Sequence, residues 1–134
     1  MFRRSPVNEH LAQVPLFEGL SSRELQLVAR LSTEVRVPAG RVLAQQGDTG
    51  AEFFVVIDGD VDVVRQGEVI ATRGAGSHLG EIALLGARPR TATLVATTPV
   101  QTRVASQREF ADLINAVPAL RVRLEASMIQ RLAA

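Results

Sequence analysis

The sequence predicts a mainly β domain in which a rolled sheet is flanked by one N-terminal and two C-terminal helices. Between residues 34 and 105, short β-branched segments are separated by glycine-containing turns every eight to twelve residues or so, a pattern typical of a closed or rolled sheet. On both sides of this region, a serine followed three residues later by a glutamate precedes apolar residues at helical spacing. We therefore expect about eight strands between helical ends.

The composition is that of one globular domain. The chain has 134 residues, of which 46% are hydrophobic and 22% charged, so it can bury a core and does not resemble a disordered segment. No apolar run approaches the roughly 20 residues that span a bilayer, and the first six residues lack the apolar stretch of a signal peptide. We expect no membrane association and a cytoplasmic location. The absence of cysteine excludes a disulfide framework.

The charge pattern argues against nucleic-acid binding. All fifteen basic residues are arginine, yet the net charge is only +1 and the arginines are spread along the chain. Nucleic-acid-binding domains usually concentrate positive charge on one face or tail. We interpret the arginines as the solvated surface of a bacterial protein with an arginine-rich proteome, and we expect no nucleic-acid partner.

The N-terminal part is predicted to be an arm followed by a helix. Residues 1–15 show no regular period and are expected to form a surface arm, which leaves residues 16–134 as the domain. Ser21 and Glu24 form a capping box, and Leu25 and Val28 then recur at helical spacing, so a helix should run from about Ser22 to Leu31.

Short strands should follow, each bounded by a turn. Asp58-Gly59-Asp60 is the strongest hairpin signal, because glycine tolerates the positive φ of tight turns. The strands are expected at 34–37, 42–44, 53–57, 61–64, 69–71, 91–96 and 100–105.

Two helices are predicted at the C-terminus. Ser106 and Glu109 form a second capping box, and Pro118 suits the first position of a further helix that reaches about Leu132. Every fourth residue of this last helix is apolar, which gives it a nearly straight apolar stripe: Leu120, Leu124, Met128 and Leu132.

Residues 80–93 have the residue types needed to bind a phosphate ester. Gly80 lets the backbone approach a ligand because it has no Cβ. The apolar turn at residues 82–85 offers unpaired N–H groups at the positive end of a short helix. Arg90 adds a guanidinium that matches phosphate oxygens. Glu81 would repel a phosphate, so its carboxylate should face a hydroxyl donor such as a ribose.

This stretch resembles the phosphate-binding cassette of the cyclic nucleotide-binding domain family. The resemblance rests on the segments GEIALL at 80–85 and PRTAT at 89–93, and it extends over roughly residues 16–132. It implies a jelly-roll-like β-roll that binds a cyclic nucleotide, in which Glu81 holds the ribose 2′-hydroxyl and Arg90 the cyclic phosphate. The expected ligand-binding residues are Gly80, Glu81, Ile82, Ala83, Arg90, Thr91 and Ala92.

The identity of the base stays open at Thr91. Threonine at this position is common in cGMP sites of the family, where its hydroxyl can accept from the guanine 2-amino group, but it also occurs in bacterial members that prefer cAMP. We therefore expect cAMP as the ligand, with cGMP as the alternative.

The resemblance also implies an output through the last helix. In the family this helix covers the base and often carries a dimer contact, so Leu120 and Leu124 are the expected cap. The alternative is that the apolar stripe only packs on the roll. We expect the helix to transmit occupancy to a second copy of the chain or to an effector protein.

Two other functional classes compete with this interpretation. A metal-dependent enzyme needs clustered histidine and carboxylate ligands, whereas His10 and His78 are far apart in the sequence, so we expect no metal and no catalysis. The second class is a structural or dimerisation module with the same fold and no nucleotide. The presence of both Glu81 and Arg90 argues against it, because a roll kept only for packing needs neither.

Overall fold

The computed structural model of the chain describes residues 6–133, and it confirms the predicted mainly β fold with flanking helices. The helices are α1 (Pro6–Ala12), α2 (Ser22–Arg30), α3 (Glu81–Leu85), α4 (Gln107–Ala116) and α5 (Pro118–Leu132). The strands are β1 (Thr33–Val37), β2 (Val42–Ala44), β3 (Glu52–Asp58), β4 (Val61–Arg65), β5 (Glu68–Arg73), β6 (His78–Leu79), β7 (Thr93–Ala96) and β8 (Val100–Ser106).

The eight strands form two antiparallel four-stranded sheets, ordered β1-β8-β3-β6 and β2-β7-β4-β5. Strand β3 connects the two layers of the core because both of its faces are buried. Phe53 and Val55 pack with the helices, whereas Phe54 and Val56 point into the roll. A nearly continuous apolar run is what a strand buried on both faces requires. This strand also lies beside the cassette, since β6 pairs with it just before α3.

The helical layer begins and ends as the capping residues predict. Ser21 and Ser106 each accept a hydrogen bond from the backbone N–H three residues on, and Glu24 and Glu109 complete the two boxes. These interactions satisfy N–H groups that the first helical turn leaves free. None of the helices between residues 6 and 133 is long and apolar enough to cross a lipid bilayer.

The predicted N-terminal arm is wrong for residues 6–15. Residues Pro6–Ala12 form helix α1, and both Leu11 and Val14 are buried in the helical core with Phe17. The spacing of these apolar residues is helical but covers hardly two turns, which is too short for a periodicity argument. Residues 1–5 of the expected arm lie outside the described residues.

Strand β6 is not among the strand ranges expected from the sequence. It has two residues, paired with Phe54 and Val55 of β3, and its backbone holds His78 and Leu79 against the sheet. A strand of two residues is too short to show an alternation of apolar and polar residues. Only its backbone pairing with β3 in the structure identifies it. It fixes the start of α3 relative to the roll.

Candidate functional site

A cavity of about 350 Å³ opens between the roll, α3 and α5. Its size is in the range of small-molecule sites. All seven residues predicted from the cassette line it: Gly80, Glu81, Ile82, Ala83, Arg90, Thr91 and Ala92. The sheet and α5 contribute the remaining lining residues: Val63, Arg65, Ile70, Ala71, Arg73, Leu79, Leu94 and Arg131.

Arg90 is the cation that the sequence pattern singles out, and it is only 7% exposed. Its Nη2 donates to the carbonyl of Glu52 at 2.6 Å, and its Nη1 makes a longer contact of 3.4 Å with the carbonyl of Gly80. The guanidinium carbon lies 5.7 Å from the centre of the Phe54 ring. Burial lowers the pKa of Arg90, while the charges of Glu52 and Glu81 oppose this shift. The side chain remains charged at neutral pH.

The backbone around Arg90 is held by the turn after β2. The Arg90 N–H donates to the carbonyl of Asp48 at 2.8 Å, and the N–H of Gly47 donates to the Arg90 carbonyl at 2.9 Å. Gly47 has a φ of +90°, which a side chain would strain. The turn that contains Gly47 therefore positions Arg90, although the two residues are far apart in the sequence.

Gly80 is required at the start of α3 for two reasons. Its φ of +101° lies in the left-handed region, and a Cβ at this position would lie 2.7 Å from Arg90 Nη1 and 2.8 Å from the Glu52 carbonyl. The absence of a side chain thus leaves room for the guanidinium. The N–H groups of the first turn of α3 have no acceptor within the helix, and the residues of this turn line the cavity from Glu81 to Ala83.

Glu81 is the fully buried acid of the site, with 0% exposure. Its Oε1 accepts from Arg131 Nη1 at 2.7 Å and from Ser127 Oγ at 3.1 Å. Its Oε2 is buried and has no hydrogen-bond partner within residues 6–133. A buried carboxylate oxygen without a donor is unfavourable, so this atom marks where a hydroxyl of a ligand would be bound best.

Helix α5 reaches the site through polar residues and not through the leucines expected as a cap. Leu120 and Leu124 are 0% and 1% exposed, and they belong to the helical core with Phe17 and Phe110. In this structure neither leucine lines the cavity. The residue of α5 that does so is Arg131, and the four-residue spacing between Ser127 and Arg131 places both on one face of the helix.

His78 extends this polar contact from the sheet. Its Nε2 lies 2.9 Å from Ser127 Oγ and 3.9 Å from Glu81 Oε1. Because the single hydroxyl hydrogen of Ser127 is donated to Glu81, Nε2 of His78 must carry the proton that Ser127 accepts. The result is a chain of hydrogen bonds from His78 through Ser127 to Glu81, which also binds Arg131.

The environment of His78 disfavours its charged form. Burial lowers the pKa of His78, the charges of Arg131 and Arg73 lower it further, and Glu81 opposes them. His78 is therefore neutral at pH 7 and above. The unfolded chain binds a proton more readily than the folded chain, so the free energy of unfolding should fall as pH decreases from about 6.5 through the lower pKa of the folded state.

We expect the His78→Gln variant to lose this pH dependence. For one proton the slope is at most about 1.4 kcal/mol per pH unit. Urea unfolding at a series of pH values between about 7.5 and 5 measures it. The matched control is His10→Gln, because His10 is exposed on α1. An unchanged slope in His78→Gln would contradict the assignment.

A family model described as a cyclic nucleotide-binding domain matches residues 34–116, more than half of the chain. Among curated proteins, a cAMP-dependent protein kinase regulatory subunit of Mycosarcoma maydis is 38% identical in an alignment of 122 residues that covers 84% of this chain and 23% of that protein. The chain thus spans about a quarter of this relative's length.

Solved structures share the fold over most of the chain. The catabolite activator protein of Thermus thermophilus superposes with a TM-score of 0.80 at 29% identity, covering 89% of this chain and 58% of that one. The regulatory subunit of a cAMP-independent protein kinase A from Trypanosoma brucei superposes with a TM-score of 0.83 at 26% identity, covering 93% and 46%.

Proposed function

Because the chain belongs to the cyclic nucleotide-binding domain family, we propose that it binds a purine 3′,5′-cyclic monophosphate in the cavity beneath α5, cAMP before cGMP. The single observation that carries the proposal is that Arg90 and Glu81, two buried groups of opposite charge, line the same cavity. Binding without chemistry on the nucleotide is the proposed activity, so no enzymatic role is assigned. A cytoplasmic and bacterial setting belongs to the proposal on the sequence grounds given above.

In this proposal the cyclic phosphate and the ribose of the nucleotide each have a matching partner in the cavity. Arg90 and the first N–H groups of α3 bind the cyclic phosphate, because a guanidinium and a helix N-terminus both favour an anion. The free Oε2 of Glu81 accepts the ribose 2′-hydroxyl. Ala83 and Ala92, both buried, leave space for close approach of the ligand.

Glu81 also connects the proposed ligand site to α5. Its Oε1 already binds Arg131 and Ser127, so a sugar bound at Oε2 would share one carboxylate with the C-terminal helix. A ligand can shift the equilibrium between two positions of this helix only by the difference in its affinity for the two. We propose that occupancy changes the docking of α5 through this carboxylate.

The output of α5 is proposed to be a contact with a second copy of the chain or with an effector protein. Val122 and Ile129 are 69% and 65% exposed and lie seven positions apart, hence on the same face of the helix. This face is separate from the buried leucines. Exposed apolar residues at such spacing favour packing against another helix.

Isothermal titration calorimetry with cAMP and with cGMP tests the proposal. We expect saturable binding of at least one nucleotide with one site per chain. The matched negative ligand is 5′-AMP, which carries the same base and sugar without the cyclic phosphate. Absence of binding by both cyclic nucleotides would overturn the proposal.

A second candidate is a domain of this fold that responds to a ligand other than cAMP or cGMP, or to none. The observation that favours it is the likeness to the Trypanosoma brucei subunit, which is described as part of a cAMP-independent kinase. In that case the titrations above should show no heat with either cyclic nucleotide.

A further inference from the structure

We propose that the second half of α5, residues 127–132, is a pH-sensitive latch that docks on the cassette while His78 is neutral and is released when His78 takes up a proton. The contact joins three elements, because His78 lies in β6, Glu81 opens α3, and Ser127 and Arg131 lie on α5. The latch needs no nucleotide. The inference therefore goes beyond the proposed function and can be tested on the ligand-free chain.

The two halves of α5 are held in different ways. The first half contains Leu120 and Leu124, both of which are buried in the helical core. In contrast, none of residues 125–133 is buried. The latch has little apolar area to hold it, so its docking depends on the hydrogen bonds of Ser127 and Arg131. Helix ends with few buried apolar contacts open locally at a lower free-energy cost than the core.

The elements around His78 each present a group to its imidazole ring, which is 17% exposed. Helix α5 places Ser127 Oγ at 2.9 Å from Nε2, and α3 places Glu81 Oε1 at 3.9 Å. On β3 the neighbour is the ring of Phe53, whose centre lies 6.2 Å from that of the imidazole. Two further charged residues act on the ring, one from α5 and one from β5: Arg131 and Arg73.

A proton on His78 would place a third cation beside one carboxylate. Glu81 already binds Arg131 at 2.7 Å, so its charge is largely balanced while the imidazole is neutral. Burial lowers the pKa of His78, and the charges of Arg131 and Arg73 lower it further against the opposing charge of Glu81. The docked contact therefore disfavours the protonated ring.

Release of the latch would remove two causes of this effect. It would take Arg131 away from the imidazole and would give the ring access to water, so the pKa of His78 would rise towards its ordinary value of about 6.5. The released state then binds the proton more readily than the docked state. Docking is consequently strongest above about pH 6.5 and weakens as the pH falls from there through the lower pKa of the docked state. Because one proton is involved, the docking constant should fall by at most about tenfold per pH unit.

The latch gives α5 a second input. Ile129, which is 65% exposed, lies in the latch and belongs to the apolar face proposed for contact with another helix. Histidine is the side chain whose ordinary pKa lies within the physiological range, so a contact closed by His78 responds to acidification of its surroundings.

Amide hydrogen exchange of the ligand-free protein between about pH 7.5 and 5 tests the inference. The intrinsic exchange rate itself depends on pH, and comparison of the wild type with His78→Gln at the same pH cancels this dependence. Well above pH 6.5 the latch amides of both proteins should be similarly protected, because a glutamine amide can also donate to Ser127. Below about pH 6.5 the wild type should lose protection relative to the variant, by up to about tenfold per pH unit.

Two controls make this result specific. His10→Gln removes the exposed histidine of α1 and should respond to pH as the wild type does. The amides of β8 report global unfolding, which exposes much more surface than release of the latch. Low concentrations of urea should therefore accelerate exchange in β8 and leave exchange in the latch nearly unchanged.

Three outcomes would overturn the inference. The first is the same pH dependence of the latch amides in the wild type and in His78→Gln. The second is a urea dependence of the latch amides equal to that of β8, which would mean that the latch opens only when the whole domain unfolds. The third is independent of the folding of His78→Gln: NMR titration of the two histidines should show a higher pKa for His78 in Arg131→Met than in the wild type, and an unchanged value would contradict the latch. Failure of these tests leaves nucleotide binding untouched, because no nucleotide is present in them.

Discussion

Replacing Arg90 with alanine is expected to weaken cAMP binding roughly 30-fold to several thousand-fold, corresponding to about 2 to 5 kcal/mol. The reason is that the cyclic phosphate would lose its charged partner in a site where the guanidinium is 7% exposed. Water screens such a pair only weakly. Titration calorimetry of the variant, at a concentration high enough to detect millimolar binding, measures the loss.

Arg88→Ala is the matched control for this prediction, because Arg88 lies two residues away and its side chain is exposed. It should change cAMP affinity less than about threefold, as exposed charges are largely screened. Arg90→Lys adds a second comparison: it keeps the charge but cannot reproduce the fork that binds the Glu52 carbonyl. An affinity of Arg90→Ala close to that of wild type would remove Arg90 from the ligand site.

The Arg90 variants also need a stability measurement. The guanidinium ties the carbonyl of Glu52 on β3 to the start of α3, so its removal leaves a carbonyl without its donor. We expect both variants to remain folded, since the core on both faces of β3 is unaffected. Thermal unfolding without ligand separates a loss of fold from a loss of binding.

The cassette could be predicted because its functional residues lie close together in the sequence. Residues 80–93 contain the glycine, the acid and the arginine, and all three line one cavity. The capping boxes at Ser21 and Ser106 were predictable for the same reason, since each satisfies backbone groups within one helical turn.

The contacts that cross between elements could not be predicted in this way. Arg131 meets Glu81 across 50 residues, and His78 meets Ser127 across 49, so only the packing of α5 on the roll brings them together. A helical period predicts that Leu120 and Leu124 share a buried face, but it does not say which part of the molecule that face meets. The family resemblance indicated the two leucines of the apolar stripe as the cap. Nothing in the sequence distinguishes Arg131, which lies between Met128 and Leu132, from the other arginines.

The structure nevertheless explains why Arg131 lies where the cap was expected. Helix α5 is anchored in the core by its first half, and its second half extends over the cavity with partly exposed residues. A partly exposed position suits an amphipathic arginine, whose aliphatic stem packs while the guanidinium reaches a partner. The buried carboxylate of Glu81 supplies that partner.

Replacing Glu81 with alanine is expected to weaken cAMP binding about 10-fold to 150-fold, or about 1.5 to 3 kcal/mol, if Oε2 accepts the ribose 2′-hydroxyl. The variant also removes the partner of Arg131 and Ser127, so part of any loss could come from a displaced α5. The ligand 2′-deoxy-cAMP distinguishes the two causes, because it lacks the hydroxyl while leaving the phosphate and base unchanged.

We expect the Glu81→Ala substitution and the removal of the ligand's 2′-hydroxyl to have non-additive effects on the free energy of binding. The wild type should bind 2′-deoxy-cAMP more weakly than cAMP by about the same factor as the Glu81→Ala variant loses, and the variant should bind both ligands equally. Arg131→Met is the control that disturbs α5 while keeping the carboxylate, so it should retain the preference for cAMP. A similar loss of both ligands in Glu81→Ala would mean that Glu81 acts by holding α5 and not by binding the sugar.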